Sequence, residues 1–151
     1  ITQGFNGHPD LGIARPSTSN GGDMQTLQLA HLTRYYLNDS QICEYSKRLL
    51  AENADPIVTD VPWVAGFALF VRRGLWERLG GFDPHIPDYG NGVELCGRVL
   101  RMGYRTVWVR NSYIHHFGGV SYDKSIGIES ILARARVADE YIAKTLDSRD
   151  R

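Results

Sequence analysis

Residues 61–83 read VPWVAGFALFVRRGLWERLGGFD, and the order of features in this stretch decides the fold class. Val64 to Val71 is a nearly continuous apolar run, which predicts a buried central strand. Gly66 inside it would let a ligand or another backbone approach closely. Leu75, Trp76 and Leu79 then fall at helical spacing, and Gly80-Gly81 is suited to ending the helix. Phe82 is expected in the core and Asp83 as a local cap. A buried strand that gives way at once to an amphipathic helix is a building block of α/β proteins.

The flanking sequence continues the alternation. Downstream, residues 82–92, with Pro84, Pro87, Gly90 and Gly92, read as a loop rich in polar side chains. Leu95, Val99 and Met102 predict a helix from Val93 to Met102, stopped by Gly103. Thr106 to Val109 predicts a strand, and Tyr113-Ile114 leads toward a His-His-Phe-Gly-Gly loop. A last helix is expected from Ile126 to about Leu146, with Ile128, Ile131, Leu132, Ala135, Ala138 and Ile142 on its buried stripe. Upstream, residues 1–23 read as loop around one short buried strand, Leu11 to Ala14, ended by Pro16. Two helices follow, from about Met24 to Leu37 and, after the capping run Asn38-Asp39-Ser40, to about Asn53. No repeat or low-complexity segment occurs, and residues 1–151 read as a single α/β domain.

Bulk properties narrow the function classes. The 151 residues are 42% apolar, which suffices for a core and excludes a disordered chain. The 17 basic residues balance the 17 acidic ones, so no global field draws the chain to nucleic acid or to an anionic membrane. Arg72-Arg73 and Arg98, Arg101 and Arg105 are the places where a local basic patch could form. Cys43 and Cys96 lie far apart in helix-like sequence, which argues against a disulfide framework and for a reducing, cytoplasmic setting. No apolar run reaches the length of a membrane span.

Three segments carry the chemical information: residues 61–83, residues 88–105 (DYGNGVELCGRVLRMGYR) and residues 111–122 (NSYIHHFGGVSY). In this order and at these separations they resemble the C-terminal, acceptor-side half of family-2 glycosyltransferases of GT-A fold. In those enzymes an apolar strand with a Gly precedes a GGFD turn, an acidic E-D-x-D-L-C-x-R helix start, a G-Y-R and a strand leading to a His. Residues 8–25, HPDLGIARPSTSNGGDMQ, resemble the piece that follows their metal-binding D-x-D. The resemblance implies a partial GT-A, nucleotide-diphospho-sugar transferase-like, three-layer α/β fold lacking the N-terminal nucleotide-binding half. No D-x-D and no Gly-rich phosphate loop occur in the sequence. It also implies inverting transfer from a nucleotide-sugar to a saccharide or related acceptor, assisted by a divalent metal, Mn or Mg.

Such a transfer needs the diphosphate neutralised, the acceptor proton taken by a carboxylate, and the acceptor held beside the anomeric carbon. The family's E-D pair falls on Asn91 and Gly92, neither of which can act as a base. Asp88 and Glu94 are the nearby carboxylates that could stand in as catalytic groups, although Glu94 also suits a helix N-terminus. By resemblance His116 is the candidate metal ligand, and two adjacent His on a strand would face opposite ways. Trp63, Gly66, Asn91 and Arg98 are candidates for acceptor or substrate binding, although Arg98 can equally pair with Glu94 at i, i+4. Trp76 is read as core. Three functions stay open: a glycosyltransferase half that works with an N-terminal portion, a non-catalytic carbohydrate-binding or interaction module, and a structural remnant. A half-domain would expose a sheet edge, so a homo-oligomer or a partner chain covering it is expected.

Overall fold

Every residue from Leu11 to Thr18 is buried, which makes this strand, β1, the centre of the molecule. In the computed structural model, which describes residues 2–18, 38–52, 58–86, 89–117 and 127–147, β1 lies in a four-stranded mixed sheet. The partners are β2 (Val58–Asp60), β3 (Phe70–Val71) and β4 (Arg105–Ile114), in the order β2-β4-β1-β3. β1 runs parallel to β4 and antiparallel to β3, and β2 is antiparallel to β4. Five helices accompany the sheet among the described residues: α1 (Thr2–Gly7), α2 (Asp39–Glu52), α3 (Arg73–Leu79), α4 (Asn91–Arg101) and α5 (Ile128–Asp147). The class is α/β. The helix expected over residues 24–37, Asp88, and residues 118–122 of the third segment lie outside the described residues.

Ile13 and Ala14, adjacent on β1, face opposite sides, and a register irregularity between Leu11 and Ile13 turns Leu11 to the Ala14 side, so β1 serves two cores. Ile13 joins Val61, Val64, Leu75 of α3 and Leu95, Cys96 and Val99 of α4. Leu11 and Ala14 meet Val107 and Val109 of β4, with Phe5 of α1 and Val58 packed against them. α2 leans on β4, where Tyr45 meets Tyr113 edge-on with ring centroids 4.9 Å apart. Its start is a reciprocal capping box: Asn38 Oδ1 accepts from the Gln41 amide and Gln41 Oε1 from the Asn38 amide, each at 3.0 Å. Ala138 and Ile142 of α5 cover Ile86 in a third cluster.

Several expectations are corrected. The run Val64 to Val71 is not a strand: only Phe70–Val71 pairs, and residues 61–69 are irregular, with Ala68 in the left-handed region at φ 50°. This segment is apolar because it lines the core as coil, with Val64 fully buried, while bending to meet the start of α4. Pro16 does not end β1. The pairing with β3 reaches only Ile13 and Ala14, so from Arg15 onward β1 has a strand on one side among the described residues, where a proline is tolerated. Residues 2–7 are helical, not loop. Phe82 is 39% exposed and stands edge-on to Trp76 instead of entering the core. Leu132 is 57% exposed and off the buried stripe of α5.

The arginines that composition left as basic-patch candidates are largely engaged inside the fold. Arg72 donates to the carbonyls of Leu11, Phe5 and His8 and lies over the Phe5 ring, pinning α1 to the sheet. Arg105 grips Asp60 with two hydrogen bonds and reaches Asp10, joining β2, β4 and the turn before β1. Arg98 donates to both carboxylate oxygens of Glu94 at 2.7–2.9 Å, and to the carbonyls of Leu79 and Gly81 at 2.8 Å. Those carbonyls belong to the end of α3, where Gly80 adopts φ 74°, so one guanidinium satisfies helix-terminal acceptors and fastens α3 to α4. Glu94 is 3% exposed. Arg98→Ala would strand that carboxylate and should cost about 3–5 kcal/mol in urea unfolding. Arg98→Lys should recover only part, since a point charge cannot reproduce the fork. Replacing both residues with Met should cost less than Arg98→Ala alone; a larger loss in the double variant would refute the latch.

Candidate functional site

β1 and β4 run parallel, and in open α/β sheets ligands gather beyond the carboxyl ends of such strands. At that end β4 runs into His115 and His116, and β1 contributes Arg15, Ser17 and Thr18. The Arg15 guanidinium lies over the Phe67 ring, 5.2 Å from its centroid, and Phe67 stacks on the imidazole of His116 at 4.1 Å with planes 17° apart. A cation, a benzene ring and an imidazole thus form one column, joining β1, the 61–69 segment and the end of β4. Ser17 Oγ accepts from Trp108 Nε1 at 2.8 Å and donates to the Arg110 carbonyl at 2.9 Å. Thr18 is fully buried, and its hydroxyl has no hydrogen-bond partner among the described residues.

The two histidines have different surroundings, as side chains of consecutive residues should. The His115 Nδ1 atom lies 2.9 Å from the Tyr113 hydroxyl, and its ring meets Phe117 edge-on. Burial, and then the neighbouring His116, hold the His115 imidazole below the ordinary histidine value of 6.5. Among the described residues no group of three or more His, Cys, Asp or Glu side chains comes together as a metal centre would need. A metal at His116 would therefore draw its other ligands from elsewhere.

The start of α4 packs against the same 61–69 segment. Asn91 lies so close to Gly66 that a Cβ built on the glycine would be 2.3 Å from Asn91 Oδ1. Gly92 is buried, and a Cβ there would be 2.6–2.9 Å from the Gly66 amide nitrogen, the Val64 carbonyl oxygen and the Ala65 carbonyl carbon. Of the residues singled out from the sequence, Gly66 and Asn91 are thus brought into contact. The close approach expected at Gly66 is made by this side chain. Glu94 and Arg98 lie further along α4, bound to each other. Trp63 is half-buried against the α3–α4 core, and Asp88 lies outside the described residues. Cys96 is sealed in the core, where burial pushes its thiol up to about 11. Sequence reasoning missed Arg15 and Phe67. The available signal was an arginine inside an apolar strand, since Arg is almost never fully buried unless paired.

The chain aligns with N-acetylglucosaminyl-diphospho-decaprenol L-rhamnosyltransferase of Mycobacterium tuberculosis (strain H37Rv) at 32% identity over 65 residues, 43% of the chain and 21% of that protein. An uncharacterized protein of the same strain is 38% identical over 61 residues, 38% of the chain and 23% of that protein. The alignments thus span about a fifth of each relative's length. No protein-family model and no solved structure matches the chain. The chain is a distant, partial relative of a glycosyltransferase. No helix among the described residues is long and apolar enough to cross a membrane.

The His115 environment makes stability depend on pH with a defined sign. The folded-state value is depressed, so the unfolded chain takes up the proton first as pH falls. This contribution should be complete above 6.5 and be lost as pH drops through the lower folded-state value. In urea titrations across that window, His115→Gln should show a shallower fall than the parent chain; parallel curves would refute the assignment.

Proposed function

We propose that the chain is the acceptor-side part of a GT-A-type, family-2-like glycosyltransferase, acting on a sugar carried by a lipid diphosphate. The observation that carries this reading is the contact of Gly66 with Asn91 at the start of α4. It joins the first two motif segments. The third segment supplies His116, which stacks on Phe67, the residue after Gly66. The partial relationship to an L-rhamnosyltransferase supports the activity class, and that relative's diphospho-decaprenol substrate supports the acceptor class.

In this reading the nucleotide-sugar is held by a portion outside the 151 residues, supplied by a longer chain or a partner. β2 and β3 are the sheet edges on which it could build, since each pairs with a single strand among the described residues. His116 would be one ligand of a divalent Mn or Mg that neutralises the leaving diphosphate. Trp63, Gly66 and Asn91 would border the acceptor. Arg98 would act by holding α4 in register, because its donors are already engaged. The proton acceptor is Asp88. Glu94 is ill suited to that role, being buried with both carboxylate oxygens held by Arg98. Gly92 has no side chain and no room for one.

That last fact favours a second reading, a saccharide-binding module that has lost transfer. The two are separated by assaying sugar transfer to a prenyl-diphosphate-linked acceptor sugar, with the chain expressed as part of its full-length protein. As a transferase, Asp88→Asn should lower kcat about 100-fold or more, in the range of general-base loss. Gly92→Asp should give no gain and should destabilise by about 1–3 kcal/mol through overpacking against residues 64–66. Saccharide binding without turnover in the parent protein would establish the module instead.

A further inference from the structure

On the far side of the α4 start, the loop before α4 and the helix α5 border a cavity of about 310 Å³, lined by His85, Ile86, Tyr89, Ala133, Val137 and Ala138, with Arg134 also at its edge. Its size is at the small end of ligand pockets, roughly 300–1,000 Å³. The pocket wall is preformed. Asp83 accepts hydrogen bonds from the His85 amide at 2.9 Å and from the Tyr141 hydroxyl at 3.0 Å. The His85 ring stacks on Tyr141 of α5 with centroids 5.4 Å apart. The loop is therefore fastened to the helix it faces.

The lining selects the ligand chemistry. Ile86 and Ala138 form a buried floor, Val137 stands 65% exposed at the mouth, and Tyr89 presents a partly exposed ring. Few polar groups face the cavity, so a saccharide or a nucleotide base would leave most of its hydrogen bonds unmade. A hydrocarbon chain would lose nothing, and Arg134 contributes a positive charge that suits an anionic head. The position selects further. Tyr89 is two residues from Asn91, and Gly90 between them is packed against Ala138 and Ile142, so that a Cβ at Gly90 would be 3.2 Å and 2.9 Å from their side chains. The cavity and the Gly66–Asn91 contact are thus on two sides of one short backbone segment.

We infer that this cavity takes the first isoprene units of a polyprenyl diphosphate, leaving the sugar beyond the diphosphate to reach the start of α4. The inference rests on the transferase reading for the choice of a prenyl chain over other hydrocarbons. The test is calorimetric titration of the 151-residue chain with farnesyl diphosphate, beside inorganic pyrophosphate and phosphatidylcholine vesicles. Farnesyl diphosphate should bind, and neither of the others should. Ala133→Trp and Val137→Glu both change exposed residues at the mouth. Each should weaken farnesyl diphosphate binding about tenfold or more, ~1.4 kcal/mol, with the thermal midpoint unchanged. Equal affinity in parent and both variants, absence of binding, or pyrophosphate binding as tightly would overturn the assignment. Vesicle binding that the same two variants abolish would overturn it in favour of a bilayer-seeking surface. The readout is independent of transfer. Prenyl binding that the variants weaken, in a protein without transferase activity, would sink the proposed function and keep the pocket. Transfer by a protein whose variants bind the prenyl chain normally would do the reverse.

Discussion

The guanidinium of Arg98 is the contact on which the site depends. It binds a buried carboxylate on its own helix and two carbonyls at the end of another. A buried ion pair is weak evidence of net stability, because desolvation opposes the Coulomb gain. Its consequence here is geometric. Together with Leu95, Cys96 and Val99 packed on Val61 and Val64, this fastening of α3 to α4 sets the α4 axis relative to the coil of residues 61–69, and Gly92 rests against the backbone of residues 64–66. A shift of a few tenths of an ångström would open that contact or drive Asn91 into Gly66.

The parts of this arrangement that were legible in the sequence are those set locally. α3, α4 and α5 follow from helical spacing and from Gly80 and Gly103, and the capping run at Asn38 follows from side-chain chemistry. What was not legible is set at a distance. An apolar run such as VAGFALFV reads the same whether it is a strand or a coil lining a core, and only its partner α4 decides. The passage of β1 through Pro16 depends on β3 being two residues long, a property of the far side of the sheet. At the site, Gly66 signalled a close approach but could not say to what. The column of Arg15, Phe67 and His116 joins three segments whose proximity no spacing encodes.

Charge shows the same division. The 17 basic and 17 acidic residues exclude a strong global field, but composition cannot say where each charge is used. Arg72, Arg98 and Arg105 each join segments remote in sequence, through backbone carbonyls or carboxylates. Three of the five basic residues that look like an anion-binding patch in one dimension are therefore fastenings between segments in three, while Arg73 and Arg101 stay exposed. Arg15, one residue past the strand expected at Leu11 to Ala14, is the arginine whose guanidinium lies over Phe67, which in turn stacks on His116 beyond the end of β4.

Gly92 connects these points to function. A helix start that resembles a catalytic motif but has glycine in place of the carboxylate can arise simply by loss, and then a carboxylate could be put back. Here the backbone of residues 64–66 fills the space a Cβ would occupy, so the loss and the packing are coupled. Restoring the carboxylate would require moving the 61–69 segment, which also carries Phe67 and so the stack on His116. The helix start therefore acts as a close-packed wall.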